Sequence, residues 1–399
     1  MECRACNANN LFDAIDLGEI PVAAGFAKED LLNPELYETK MIVCGSCGLG
    51  QTSVDLDESS LFSYYNFRTS LSKSFLEHSK RYCDEVIEKY NITQDDWVLE
   101  LASNDGYMLK YFKEKGIGIL GVDPAENLAF YSAINGVPTI SQFFGSKLAQ
   151  DILKEKGYPK LIIANNVMAH VPNIQDFVNG ISILCSDETV VSVENPTIMN
   201  ILEKDHFDTI FHEHYSYLSC NSVSRLANRF GLELFDVEFL TTHGGSNRYW
   251  LSKNKQRTDI VNETIKYEVS SGLMDSNAWD ISYKRIKSNV KEFYDRVKNL
   301  NSSGAIICGY TASAKSTVLL NFAGIKRGDI KVIADDAVEK QGHYVLGPSI
   351  PIVSMNEMLK LNPTDIIVFS WNIYDEIKNK IILAGYKNIK VWVWNGDNN

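Results

Sequence analysis

The sequence has no run of about 18 apolar residues, so no membrane-spanning helix is expected. Positive charge is in deficit: 39 Lys and Arg stand against 51 Asp and Glu, a formal net charge of −12. Nucleic acid binding needs a basic face, so nucleic acid is not an expected partner; a small phosphorylated ligand needs only a few local donors. The opening residues MECRACNANN lack a basic stretch leading into an apolar core, so no secretory signal is expected and the expected compartment is a reducing cytoplasm. Internal repeats and low-complexity segments are also absent. The helical metalloprotease signature is absent, since no two histidines stand four residues apart, and the loop ASNDG carries one glycine and does not match the dinucleotide G-x-G-x-x-G.

What is present begins with cysteine. In a reducing compartment eight cysteines point to metal binding before disulfides. Four are paired in CRAC (Cys3, Cys6) and CGSC (Cys44, Cys47). Two C-x2-C knuckles supply four thiolates that close a tetrahedral zinc site and leave no open position, so the Zn2+ is expected to be structural. Cys83, Cys185, Cys220 and Cys308 are dispersed and read as buried free thiols.

The 399 residues have room for two or three domains at about 150 residues each. Residues 1–70 read as a zinc module of short strands. In 71–245 a helical pattern leads into alternating strands and helices: WVLELAS, GYMLKYFKEKG, GILGVD, KLIIANNV and TVVSVEN. Such alternation predicts a mostly parallel sheet with helices on both faces. Within 246–399 a polar stretch of helical spacing precedes a second alternation, from GAIICGYTASAK to NIKVWVWN, read as a smaller α/β domain. The expected class is therefore α/β throughout, with a zinc-binding N-terminal module, and a monomer is the default expectation.

Chemistry is expected at three places. FDTIFHEHYSYLS carries His212, Glu213 and His214; on a helix the two rings would point about 200° apart, and on a strand they would share one face. VLELASNDGYML is a strand ending in an acid and a small-residue loop, followed by ILGVDP, whose Asp123 stands where an acid can meet ribose hydroxyls. In the last third, GYTASAK opens a helix after a strand, so its backbone N–H groups and Lys315 can receive a phosphate. DDAVEKQGHY offers Lys340, Gln341 and His343, and FSWN offers Trp371 and Asn372, as contacts for a nucleotide. HGGSNR reads as a tight turn with Arg248, where backbone can approach a ligand or simply reverse.

The strand–loop pair resembles the first two motifs of class I methyltransferases. By that resemblance Glu100, Ser103, Asn104, Asp105 and Gly106 border the methionine end of S-adenosylmethionine, Asp123 holds its ribose, and Asn165 joins the cofactor-binding set. The ordered series of double knuckle, LASNDG, NNVMAHVPN, ENP, HEH, HGGSNR, GYTASAK and KQGHY resembles, over essentially the whole chain, the sugar C-methyltransferase family. Members methylate C3 of a nucleotide-linked 4-keto-deoxysugar in a cleft between their N-terminal, central and C-terminal domains. The resemblance implies His214 as base, with Glu213 and His212 contacting the sugar or orienting that base. It also implies His170 as a second imidazole and Tyr65 as a donor to the sugar, most readily with a thymidine-linked substrate. One departure bears on the chemistry. Members commonly carry Tyr where this chain has Phe211 and Phe67, which removes candidate phenol donors; Tyr64, Tyr215 and Tyr217 are the possible replacements. The alternatives are a different nucleotide (GDP or CDP) or sugar carbon, and a non-catalytic zinc-containing nucleoside-binding scaffold.

Overall fold

The computed structural model describes residues 1–399 except 24, 31–32, 66–67, 72, 387–388 and 396–399, so Phe67 lies outside the described residues. The N-terminal part holds β1 (Leu11–Ile20), β2 (Phe26–Ala27), β3 (Tyr37–Cys44) and β4 (Gly50–Thr52), then helices α1 (Glu58–Phe62) and α2 (Lys73–Lys89). The middle of the chain runs β5 (Trp97–Leu101), α3 (Leu109–Glu114), β6 (Gly118–Val122), α4 (Glu126–Ile134), β7 (Thr139–Ile140), α5 (Ser146–Lys156), β8 (Leu161–Asn165), α6 (Ile174–Ile183) and β9 (Val190–Pro196). It continues with α7 (Met199–Lys204), β10 (Ser216–Tyr217), α8 (Cys220–Arg229), β11 (Glu233–Leu240) and β12 (Ser246–Ser252). Five of these strands form a parallel sheet in the order β9-β8-β5-β6-β7, and the hairpin β11–β12 adds antiparallel to β9. The central sheet thus runs past residue 245, because β12 pairs with β9 over Ser246–Leu251 and with β11 through Ser252. Both faces of the sheet are covered, and its strands read accordingly as near-continuous apolar runs such as Leu161–Ala164.

Two helices, α9 (Asp259–Ser270) and α10 (Ser276–Ser302), connect to the last part. On α10, Trp279, Ile286, Val290, Phe293 and Val297 recur at helical spacing and face the core, so the polar stretch of the sequence is one amphipathic face and its complement. The C-terminal sheet contains β13 (Ile307–Tyr310), β14 (Ile333–Ala334), β15 (Tyr344–Val345), β16 (Ile350–Val353), β17 (Asp365–Val368) and β18 (Lys390–Trp392). Helix α11 (Ala314–Phe322) follows β13, α12 (Met355–Lys360) follows β16 and α13 (Tyr374–Leu383) follows β17. In the order β18-β17-β13-β14-β16, the chain leaves β13 first toward β14 and later returns to β17 on its other side. The crevice beyond the carboxyl ends of β13 and β17 is the topological switch point where open α/β sheets bind ligands. The loops at Thr311 and Trp371 line it.

The parts interlock. Residues Phe26–Ala27 of the N-terminal region pair with β15 at the edge of the C-terminal sheet. Ser216–Tyr217 of the middle region pair with β4 and extend the N-terminal sheet. The carboxylate of Glu268 caps α8 by accepting the amides of Cys220 and Asn221 at 2.7 and 2.9 Å. The Asn221 side chain then donates to the carbonyl of Cys47.

Candidate active site

The two knuckles meet at one end of the N-terminal sheet. All four sulfurs lie within 4.8 Å of one another, with Cys3–Cys47 at 3.5 Å and Cys6–Cys44 at 3.6 Å. Tetrahedral zinc with Zn–S bonds of about 2.3 Å places its sulfurs about 3.8 Å apart, so the donor set fits zinc. Cys3, Cys44 and Cys47 are buried beside Leu49 and the central core, where a metal serves structure and no substrate reaches it. The remaining four cysteines are free and buried.

At the carboxyl ends of β5 and β6, Asp123 accepts the amides of Asn104 and Ala125, both at 2.9 Å. Asn104 in turn accepts the Thr69 amide, and Asp105 accepts from Ser70, so the segment before α2 lies against this loop. Glu100 is buried, and its carboxyl is pushed well above the usual range by burial and by the charges of Asp123 and Asp105. One oxygen each of Glu100, Asp105 and Asn165 is buried without a protein partner, three acceptors at neighbouring strand ends suited to a ligand's ammonium or hydroxyl groups. Gly106, at φ +74°, cannot carry a side chain here: a Cβ would come within 2.9 Å of Val137. The hydroxyl of Ser103 packs beneath the loop, 2.4 Å from where a Cβ of Gly121 would stand, and supports the loop from below. Ala102, Asn104 and Asn166 follow the ends of β5 and β8 in the left-handed region, at φ 51° to 57°. For alanine such a backbone is costly, and strain of this kind gathers at ligand-binding turns.

The HEH segment is neither helix nor strand. It is a turn closed by the His214 amide donating to the Phe211 carbonyl at 2.9 Å. The turn sends the two histidines apart. His212 packs edge-on against Tyr37, with Nε2 3.0 Å from the Thr39 hydroxyl, in the N-terminal sheet. His214 turns the other way and meets His170, with ring centroids 4.8 Å apart. Nδ1 of His214 donates to the Thr209 carbonyl at 2.9 Å, and Nδ1 of His170 donates to the Glu213 carbonyl at 2.7 Å. A carbonyl only accepts, so both Nε2 atoms keep their lone pairs. Burial drives both imidazoles neutral, His170 down to about 4 and His214 well below its ordinary 6.5, the latter helped by the neighbouring His170.

Aromatic rings wall this pair. Phe211 lies on the face of His214 at 3.9 Å, Tyr217 stands edge-on at 5.8 Å, and Phe62 stands edge-on to His170 at 5.4 Å. Tyr65 is fixed by two hydrogen bonds between its backbone and Asn127. Its phenol is raised by burial and by the charges of Glu213 and Asp123. Of the possible phenol replacements, Tyr64 is 69% exposed and Tyr215 donates to the Leu56 carbonyl. Only Tyr217 borders His214; its oxygen accepts the Phe211 amide.

The C-terminal domain closes the other side. The indoles of Trp371 and Trp394 both donate to Oδ2 of Asp208, at 2.8 and 3.2 Å, and Trp371 lies over His206 at 4.0 Å. Gly244 in HGGSNR is required because Trp371 occupies the space of a Cβ. Lys315 reaches this junction, 5.7 Å from the centre of the Trp371 ring. Lys340 and Gln341 do not: Lys340 is bound to the Ala312 carbonyl and Asp335, and Gln341 to the Asp335 carbonyl. Gln341 braces its own loop, and Lys340 ties that loop to the turn between β13 and α11. His343 stays beside Gln341, and Asn372 is exposed. Arg248 is buried in an ion-pair cluster with Glu194 at 3.0 Å and Glu238 at 3.1 Å, so the ENP and HGGSNR motifs meet in a structural junction of β9, β11 and β12.

Three family models match successive parts of the chain. One described as "Putative zinc binding domain" covers residues 3–62, "Methyltransferase domain" covers 75–237, and "C-methyltransferase C-terminal domain" covers 241–389. The C-methyltransferase NovU of Streptomyces niveus is 29% identical over 384 residues, which span 94% of this chain and 91% of that one. Over nearly its whole length the chain is thus similar to a C-methyltransferase. Among solved structures it is similar to magnesium protoporphyrin IX methyltransferase from Synechocystis PCC 6803 with bound SAM, at 13% identity, 50% of this chain, 99% of that chain and a TM-score of 0.37. A SAM dependent methyltransferase from Archaeoglobus fulgidus follows at 16% identity, 41% of this chain, 72% of that chain and a TM-score of 0.35.

Sequence reasoning missed four groups of this site: His206, Asp208, His243 and Trp394. Asp208 is pushed up to about 6 by burial, against the pull of Lys315 and the two indoles. His206 and His243 are held down to about 4, again chiefly by burial. Their only signal was position, since Asp208 and His243 lie inside segments already rich in chemistry. No helix of the protein is long and apolar enough to cross a membrane, among the described residues.

Proposed function

We propose that the protein transfers a methyl group from S-adenosylmethionine to C3 of a nucleotide-linked 4-keto-deoxysugar, with thymidine diphosphate as the expected carrier. The observation that carries this reading is the pair of neutral imidazoles, 4.8 Å apart, whose Nε2 lone pairs are fixed by the carbonyls of Glu213 and Thr209 on Nδ1. Carbon beside a ketone becomes a nucleophile only when a base takes its proton while the carbonyl oxygen gains charge. His214 is assigned that proton. His170 is assigned to the keto side, and Tyr65 and Tyr217 supply phenols near the sugar. S-adenosylmethionine, when bound, supplies an electrophilic methyl. The acceptors Glu100, Asp105 and Asn165 are assigned to its polar groups and Asp123 to its ribose, so the protein's work is mainly alignment.

Incubation with S-adenosylmethionine and a panel of 4-keto-deoxysugar nucleotides should yield a product heavier by one methyl, read by mass spectrometry. No consumption of the methyl donor with any member of the panel sinks the reading. Because burial lowers the imidazole pKa, the unprotonated base should persist below pH 6.5, and the acid limb of kcat/KM should fall below that value. A limb at or above 6.5 would place the base in an exposed histidine instead.

A further inference from the structure

Lys315 is the second residue of α11, at the mouth of the C-terminal switch point, and its ammonium forms no ion pair or hydrogen bond among the described residues. The neighbouring cations are already committed, Arg248 to Glu194 and Glu238 and Lys340 to Asp335. Asp208 is the opposite charge that Lys315 feels. Oδ2 of that carboxylate is taken by two indoles, and the carboxylate stays beyond ion-pair distance.

The position of Lys315 relative to the base is built, not incidental. Helix α11 packs on the one-turn segment Phe207–Thr209 through Phe322 against Phe207, at 5.3 Å. The carbonyl of Thr209 in that segment is the one that orients His214. On the other side Thr311, a β-branched residue held at φ +71°, turns the chain from β13 into α11. Its hydroxyl accepts the Ser370 amide at 2.9 Å, which ties the α11 entrance to the loop carrying Trp371. Strain at such a turn marks a position held for function. Three imidazoles, His206, His214 and His243, all lie within the field of the Lys315 charge, and all are kept neutral.

We propose that the Lys315 ammonium binds the keto oxygen as it becomes an enolate oxyanion, making Lys315 a catalytic cation of the transfer and not a ligand of the nucleotide phosphates. The role rests on the keto-sugar reading above. In the step, the C3–H bond breaks and its proton passes to Nε2 of His214. The electron pair becomes the C=C bond of the enolate as the carbonyl π pair moves onto oxygen, opposite Lys315. The carbon then forms the new C–CH3 bond, the S–CH3 pair returns to the donor sulfur, and the carbonyl re-forms. One proton is left on His214 and leaves to solvent. A fixed cation at the oxygen stabilises charge that exists only during the step, which is where such groups accelerate reactions most.

The test uses Lys315→Met, with Lys315→Gln carrying the same measurements should the first fail to fold, and Lys315→Arg as the conservative variant. Exchange of the C3 proton with deuterated solvent is read at saturating keto-sugar nucleotide with S-adenosylhomocysteine present, and binding of the nucleoside diphosphate alone is measured by calorimetry. The Met variant should slow exchange and kcat by about 10²-fold or more, bind the nucleoside diphosphate within about 2-fold of wild type, and shift the acid limb upward as the cation beside His214 is lost. Arginine should restore part of the rate. Wild-type exchange in the Met variant with nucleoside diphosphate binding weakened about tenfold or more makes Lys315 a phosphate ligand and overturns the proposal, as does no change in either. Absence of exchange in the wild type with every keto-sugar nucleotide overturns the keto-sugar reading and this role together.

Discussion

Replacing His214 by asparagine should slow solvent exchange of the acidic C3 proton by about 10²- to 10⁴-fold, the range that a positioned general base contributes. Asparagine suits the experiment because its side-chain N–H can still donate to the Thr209 carbonyl, as Nδ1 of His214 does at 2.9 Å. The turn is then preserved while the basic nitrogen is lost, and thermal stability should change little. Alanine removes both, and additionally opens space beneath Phe211, which lies on the imidazole at 3.9 Å. The comparison separates chemistry from packing. Exchange at the wild-type rate in the asparagine variant would move the base elsewhere, with His170, 4.8 Å away, as the next position to change.

Cys44→Ser is expected to have the largest effect on the fold. A structural zinc site contributes on the order of 10–16 kcal/mol at neutral pH, against a total stability of about 5–15 kcal/mol for a typical domain. Loss of one thiolate should lower bound zinc well below about one ion per chain and the unfolding midpoint by about ten degrees or more. The damage should not stay in the N-terminal module. Cys47 accepts the Asn221 side chain through its carbonyl, and Asn221 lies in the α8 cap held by Glu268. Slackening of the knuckle therefore reaches the helices behind the central sheet. Retention of full zinc content by the serine variant would refute the four-thiolate site.

The zinc module and the central sheet were legible in the sequence because their signals are local. Cys3, Cys6, Cys44 and Cys47 announce themselves by spacing, and runs such as WVLEL and KLIIAN carry the apolar pattern of strands covered on both faces. The HEH segment was less legible. Its periodicity could be read for a helix or a strand, whereas a single turn at Phe211–His214 separates the two rings and gives His212 to Thr39. The loop DDAVEKQGHY carries the right residue types for a nucleotide, yet Lys340 spends its charge on Asp335 and the Ala312 carbonyl, a pairing that only the folded loop reveals. Least legible was the junction of Asp208 with Trp371 and Trp394. It joins residues 163 and 186 positions apart, and no local pattern encodes such a meeting.

The pairing of Phe26–Ala27 with Tyr344–Val345 has a consequence for biosynthesis. A segment made early supplies the edge strand of a sheet made much later. It must wait, unpaired, for more than three hundred residues of translation before its partner appears. Over that interval the strand edge is open to association with other chains. Nascent chains halted before residue 344 should therefore be more prone to aggregate than the finished protein, and a chain cut after the N-terminal sheet leaves the C-terminal sheet without its edge strand.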